Sequence, residues 1–320
     1  MIEVRVFAPE RLCGAVEALL SQHPAVTGLA VMRGASVKPN GDVFLAQLPR
    51  EVANDVVREL VDLKVQAEGL IEINEVGTWV SAAAYRAELE EPGSSDDSVV
   101  WAQVVQEAYE DTTFSWTYAS FMILATLLAS IAILTDSVVL VIGSMVLGPE
   151  FVAVAALGLA LVRRRRHLLQ RAINALVLGF ALSIAVTTLI ALGARLLGLI
   201  DVSQVNGPRP GTSFIYQPNV WSIVIALIAG AAGVLALTSN RTGGLAGVFI
   251  SVTTIPASGN MALALAFGLW HDFWGSALQL VINIIGMALA GWGTLLIQQH
   301  VWARVTRARA RRRRPQRVAP

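Results

Sequence analysis

A carboxylate stands beside a proline inside a long apolar run. Glu150 follows Gly148 and Pro149 in the stretch SVVLVIGSMVLGPEFVAVAALGLALV. Proline removes a helix donor and clashes with the preceding turn, and Gly143, Ser144 and Gly148 cluster beside it, so a kink or an unwound turn is expected there. Backbone groups freed at membrane depth find no partner in lipid and must face protein or water. A carboxylate near the bilayer centre costs about 2.5–3.5 kcal/mol on insertion scales, and such residues mark solute pathways and proton relays. Glu150 is therefore read as a group that binds a cation or exchanges a proton. The plainer alternative is a carboxylate tied to the freed backbone.

A second break is expected in LAGVFISVTTIPASGNMALALAFGLW, where Pro256 is framed by Thr253, Thr254, Ser258, Gly259 and Asn260. Short polar groups around a proline can offer hydroxyls, an amide and carbonyls to a solute, and half-helix ends add partial charges. The same residue types also bond between packed helices, which is the competing reading. Asn283 lies deep in the last apolar run, whereas Asn174 lies near a cluster of arginines. The candidate substrate- or ion-binding set is Glu150, Ser144, Gly148, Pro149, Thr253, Thr254, Pro256, Ser258, Asn260 and Asn283. Asp136 reads as a helix cap in a turn, and His271-Asp272 as a solvated pair flanked by interfacial Trp270 and Trp274. Paired carboxylates on one helix face, HExxH, Gly-x-Ser-x-Gly and P-loop patterns do not occur, so no enzyme, metal or cofactor is expected. With Cys13 the single cysteine, a disulfide within the chain is excluded.

The elements that must hold these residues are membrane helices. Of 320 residues 55% are hydrophobic and only 15% charged, far from a soluble average. Six apolar stretches, about 114–134, 137–162, 171–199, 220–238, 245–270 and 274–298, are each long enough to cross a hydrocarbon core, which takes about 20 residues. Arginines gather at 163–166, at 241 and in the tail at 304–317, all on one side of a six-span chain, so both termini are expected in the cytoplasm of a bacterial inner membrane. Arg163–Arg166 and the tail are read as contacts to anionic lipid rather than nucleic acid, since no aromatic residue sits among the last arginines. LTDS at 134–137, Pro149 and Ile173-Asn174 recur as LTSN at 237–240, Pro256 and Ile282-Asn283, at offsets of 103, 107 and 109. Three spans per copy is an odd number, so the copies would run through the membrane in opposite senses, 113–200 against 220–299, joined by an outer loop at 201–219.

Outside the membrane, residues 1–77 read as a soluble βαββαβ domain of ferredoxin-like type. Strands are expected at 3–8, 26–32, 42–48 and 69–76, helices after Pro9 and Pro49, and a turn-rich segment at 33–41. MIEVRVFAPE reads as a soluble strand and helix start rather than a signal peptide. Residues 78–112 form an acidic link, with a break at 91–98 and a short amphipathic helix from Ser98 to about Tyr109. The tail occupies 300–320.

The motif VIGSMVLGPEFVAVAALGLALV, followed by arginines and a span containing INALVLG, resembles a bacterial family of hydrophobic membrane proteins catalogued as domain of unknown function three-eight-nine. The residues that carry the resemblance are Gly143-Ser144-Met145, Pro149, Gly247-Val248 and Pro256, within roughly 114–298. The chain departs from the family pattern at Phe151-Val152-Ala153, where a second Gly-Pro is common, and at Pro256-Ala257, where a proline pair is common. Glu150 stands where the pattern implies an apolar residue, which implies a sub-branch with altered solute preference. The family carries no activity.

Three functions fit this reading. The first is a secondary transporter or facilitator of a small solute or ion, with its site at the midplane between broken second and fifth helices and its soluble domain regulating it. The second is a channel lined by the same helices. The third is a membrane-anchored sensor or scaffold. Glycine-rich spans allow close helix contacts within one chain or between copies in a homo-oligomer.

Overall fold

The computed structural model of the chain describes residues 1–91, 98–207, 209–215, 219–238 and 253–313. Arg241, Gly247-Val248, most of the acidic break at 91–98, residues 239–240 of LTSN, the first part of the fifth apolar stretch and the end of the tail lie outside the described residues. The described residues form two compact units, one built on Met1–Val104 and one on residues 105–237 and 253–301.

In the first unit the order is β1 (Ile2–Pro9), α1 (Glu10–Gln22), β2 (Gly28–Val37), β3 (Asn40–Leu48), a short 3-10 turn (Arg50–Val52), α2 (Ala53–Asp62), α3 (Val65–Glu68) and β4 (Leu70–Glu75). The four strands form one antiparallel sheet in the order β2-β3-β1-β4. Alternation dictates its core: Ile2, Val4, Val6 and Ala8 of β1 are fully buried on one face, against Val16 and Leu20 of α1 and Val56 and Leu60 of α2. The expected turn at 33–41 is instead mostly strand. Gly34 takes a positive φ, and its N–H and the Arg33 guanidinium both bond the Asp42 carboxylate. These contacts hold Asp42 below its usual carboxylate range. The pairing with β3 is irregular between Met32 and Ser36, so the extra residues form a bulge within a longer β2.

Helices α4 (Ala82–Glu90) and α5 (Trp101–Asp111) follow. The first unit reaches beyond the sheet because Asn54 grips the chain ahead of α5: its amide donates to the Val99 carbonyl at 2.6 Å and its Oδ1 accepts from the Trp101 N–H at 3.1 Å. Val99 and Val100 are buried beside it. Asn54→Ala is expected to weaken this anchor by about 1–1.5 kcal/mol, which raises amide exchange at Trp101–Val104 in the full chain about tenfold.

Helices α6 (Trp116–Leu134), α7 (Val138–Leu147), α8 (Glu150–Arg163), α9 (Arg166–Leu196), α10 (Val202–Asn206), α11 (Val220–Thr238), α12 (Thr254–Phe267) and α13 (Trp270–Arg313) follow, and the second unit is built on their residues up to 237 and from 253 to 301. Helices α6, α9, α11 and the first part of α13 are long and apolar enough to cross a membrane. Between α7 and α8 the axis bends by 54° at Gly148-Pro149, and the pair is apolar enough to count as a fifth crossing. Of the expected fifth stretch the structure describes α12, which is 14 residues long.

Three helix starts recur with one spacing: Trp116 and Val220, Glu150 and Thr254, Arg166 and Trp270 are each 104 residues apart. Helices α6 and α11 both have 19 residues, and α8 and α12 both have 14. The 14-residue helices also end alike, on a residue in the left-handed region, Arg164 and Gly268. In this register the two prolines are not equivalent, since Pro149 is the residue before α8 and Pro256 is the third residue of α12. The Ile-Asn pairs are not equivalent either: Asn174 is exposed and Asn283 buried. The helices carry the period, and the short motifs drift about it.

Glycines set the closest approaches. A Cβ on Gly158 of α8 would lie 2.9 Å from the Trp292 nitrogen of α13, and one on Gly230 of α11 would lie 2.4 Å from the Met287 carbonyl oxygen. At Gly259 of α12 it would meet the Ser130 nitrogen of α6 at 3.0 Å. Backbones in such contact leave no space for a side chain.

Candidate functional site

Helix α8 begins immediately after a proline and α12 places one in its first turn, where a missing N–H is tolerated, so each proline starts a helix rather than interrupting one. The two starts meet. Thr254, first residue of α12, donates its hydroxyl to Glu150 Oε1 at 2.6 Å, and Glu150 is the first residue of α8. These two residues are also equivalent in the 104-residue register. Gly148 makes the approach possible: a Cβ there would fall 2.2 Å from Glu150 Oε2 and 2.6 Å from Ile255 Cγ1. Glu150 is 5% exposed, and among the described residues Oε2 has no hydrogen-bond partner.

Thr253, the residue before α12, sits at the centre of a second set of bonds. Its Oγ1 accepts from Gln279 Nε2 at 3.0 Å and from Asn283 Nδ2 at 2.8 Å. A hydroxyl oxygen has two lone pairs, and both are taken, which explains why Thr253 does not cap α12. Gln279 Oε1 is buried and has no partner among the described residues. Glu150, Gly148, Pro149, Thr253, Thr254 and Asn283 of the expected set are thus drawn together around the two helix starts, with Pro256 buried in the adjoining turn.

The remaining expected residues point elsewhere. Ser144 is buried but donates to the Val141 carbonyl of its own helix at 2.7 Å. Ser258 joins Thr126 of α6 at 3.0 Å, and Ser130 donates to the Gly259 carbonyl at 3.2 Å, so this part of α12 is bonded to α6 as interhelical packing. Asn260 lies six residues beyond Thr254, about 9 Å along the helix axis. Its amide donates to Ser276 at 2.8 Å and its Oδ1 accepts from Arg209 at 3.1 Å.

Arg209 belongs to a segment that sequence reasoning treated only as loop. It is 6% exposed and also bonds the Asp272 carboxylate at 3.0 Å. Two residues on, the Gly211 N–H and the Thr212 hydroxyl donate to Asp136 at 3.1 and 2.9 Å. Both turn carboxylates therefore differ from expectation. Asp136 does not cap α7; Ser137 does, accepting from the Leu140 N–H. Asp272 is not solvated, although His271 beside it is exposed. One short segment, 209–212, is bonded to the α6–α7 turn and to the start of α13.

Sequence reasoning missed Gln279, Ser276, Thr126, Ser130 and Arg209. Gln279 precedes Asn283 by four residues and Thr126 precedes Ser130 by four, which places each pair on one helix face and was a usable signal. Arg209 had none, being one base in a Gly- and Pro-rich loop.

Comparison with known proteins adds no activity. No solved structure matches the chain. An uncharacterized protein of the archaeon Methanocaldococcus jannaschii is 25% identical over 265 residues, covering 80% of this chain and 77% of the relative. Residues 145–289, which contain both helix starts and the segment between them, match the family described as Domain of unknown function (DUF389).

Proposed function

We propose that the chain is a secondary transporter or facilitator of a small solute or ion, with its site where α8 and α12 begin. The observation that carries the reading is the Glu150–Thr254 bond between two helix starts, with a buried carboxylate oxygen that has no partner among the described residues. A structural carboxylate at such depth is expected to be fully bonded, because an unpaired buried acceptor costs about 1–3 kcal/mol or more. The common 104-residue spacing supports two inverted three-span repeats, in which equivalent residues beside the pseudo-two-fold axis face one another. In this reading α12 is the second half of a broken fifth span, and α7 with α8 the broken second span. The six-span chain sits in a bacterial inner membrane with both termini in the cytoplasm, where Arg163–Arg166 touch anionic lipid. The ferredoxin-like first unit regulates the membrane part.

Flux into proteoliposomes tests this, using a panel of inorganic ions and small metabolites. Saturable uptake with counterflow is the expected result, and Thr254→Val is expected to lower it about tenfold, the loss equivalent to one charge-assisted hydrogen bond, while Thr254→Ser, which keeps the hydroxyl, is expected to retain it. Unitary conductance steps would replace the carrier by a channel. No flux of any solute, or flux indifferent to Thr254, overturns the reading in favour of a sensor or scaffold.

A further inference from the structure

The proposed site carries a signature of ligand charge. The first N–H groups of any helix lack intrahelical acceptors and form the positive end of its dipole. At the starts of α8 and α12 neither preceding residue, Pro149 or Thr253, supplies a side-chain cap. Two helix N-termini without a side-chain cap from the preceding residue therefore meet, with the C-terminal end of α7 at Leu147 beside them among the described residues. The side chains around them are mostly donors as well: the Thr254 hydroxyl is aimed at Glu150, and the Gln279 and Asn283 amides are both turned donor-first toward Thr253. Among the described residues the Gln279 Oε1 amide acceptor stands against these without a partner. Such a place stabilises an anion.

A carboxyl group already occupies that place. The Glu150 carboxylate folds back over Gly148, with one oxygen on Thr254 and the other without a partner among the described residues. We propose that the starts of α8 and α12 form a binding site for a small monovalent oxyanion of carboxylate or nitrate size, and that the Glu150 carboxylate is its tethered occupant. The proposal rests on the transport reading of the same site and names the class of solute. Glu150 and the solute are alternatives for one position, so the solute enters when the carboxylate leaves. Among the described residues no bond to Oε2 has to be broken for the carboxylate to leave. Gly148 supplies the space into which Glu150 folds, and Thr254 holds whichever oxygen is present.

The test removes the tether. Glu150→Ala keeps Cβ and deletes the atoms of one acetate, so acetate is the natural probe, with nitrate beside it and gluconate as the anion too large to fit. Purified Glu150→Ala, Glu150→Gln and parent protein are compared for acetate and nitrate binding by calorimetry and thermal shift at fixed ionic strength. Efflux of the same anions is measured from proteoliposomes. Glu150→Ala is expected to bind acetate about tenfold or more tightly than the parent, since two helix ends are released from a competing charge, and gluconate is not expected to bind. Glu150→Gln, which keeps the size and the Thr254 contact but not the charge, separates a folding defect from a charge effect and is expected to lie between the two. Anion affinity that stays level or falls in both variants, with sodium or potassium binding lost instead, overturns the proposal and makes Glu150 a cation ligand. If the parent moves a solute while Glu150→Ala acquires no anion affinity, the anion assignment falls and the transport reading stands. If Glu150→Ala binds acetate and no variant moves any solute, the site stands and the transport reading falls.

Discussion

Arg209→Ala is expected to lower the stability of the second unit by about 3 kcal/mol or more, because removing one partner of a buried ion pair leaves the other charge stranded. The Arg209 side chain is 5% exposed and that of Asp272 15%, so water can compensate little. Asn260 loses its donor in the same substitution. The neighbouring bonds from Gly211 and Thr212 to Asp136 do not involve the guanidinium and should survive, so the segment is expected to stay attached at one end. Thermal unfolding in detergent measures the loss. Asp272→Asn provides the control, since it removes the charge from the partner and keeps its shape. Arg209→Ala made on that background should cost about 1–2 kcal/mol less than on the parent, which is the coupling expected of contacting residues. A parent-like unfolding temperature for Arg209→Ala would mean that the pair is solvated.

Gly230→Ala is the second large effect. One methyl group is added, yet it would stand 2.4 Å from the Met287 carbonyl oxygen and 2.6 Å from its Cα. Those are backbone atoms of α13, which no rotamer change can move aside, so α11 and α13 must separate. Overpacking of this kind costs about 1–3 kcal/mol, and a rigid neighbour places it at the upper end. Gly193→Ala in α9 is the contrast. A Cβ there meets nothing within 4 Å, and alanine favours the helix, so a gain of about 0.5–1 kcal/mol is expected. If both substitutions behave alike, the α11–α13 contact does not hold the unit together.

The sequence exposed the chemistry of the site better than its connections. Glu150 and the Thr253–Asn260 cluster stood out because charge and hydroxyls are rare in apolar runs, and rarity needs no partner to be noticed. Which of them would meet could not be read, because that depends on helix register. The prolines, at an offset of 107, suggested that Pro149 and Pro256 are equivalent, whereas the described helix starts lie 104 residues apart, a spacing that sets Glu150 against Thr254. Asn260 shares a helix with Thr254 but, two turns on, bonds Arg209 and Ser276 instead. Ser144 looked exposed to the break and is consumed by its own helix. In the first unit alternation placed all four strands and missed only the length of β2, where Gly34 and Asp42 let the strand continue through residues that usually form a turn.

The bare contact at Gly158 has a mechanical meaning. Interlocked side chains oppose lengthwise slip, because each must change rotamer to pass its neighbour. Here the α8 main chain lies directly on that of α13 at Gly291 and Trp292, with no side chain at position 158 between them. Where packed helices do shift along each other, as in shear motions, such a contact has no rotamer to change. A bulky residue at position 158 would force the helix that begins at Glu150 away from α13.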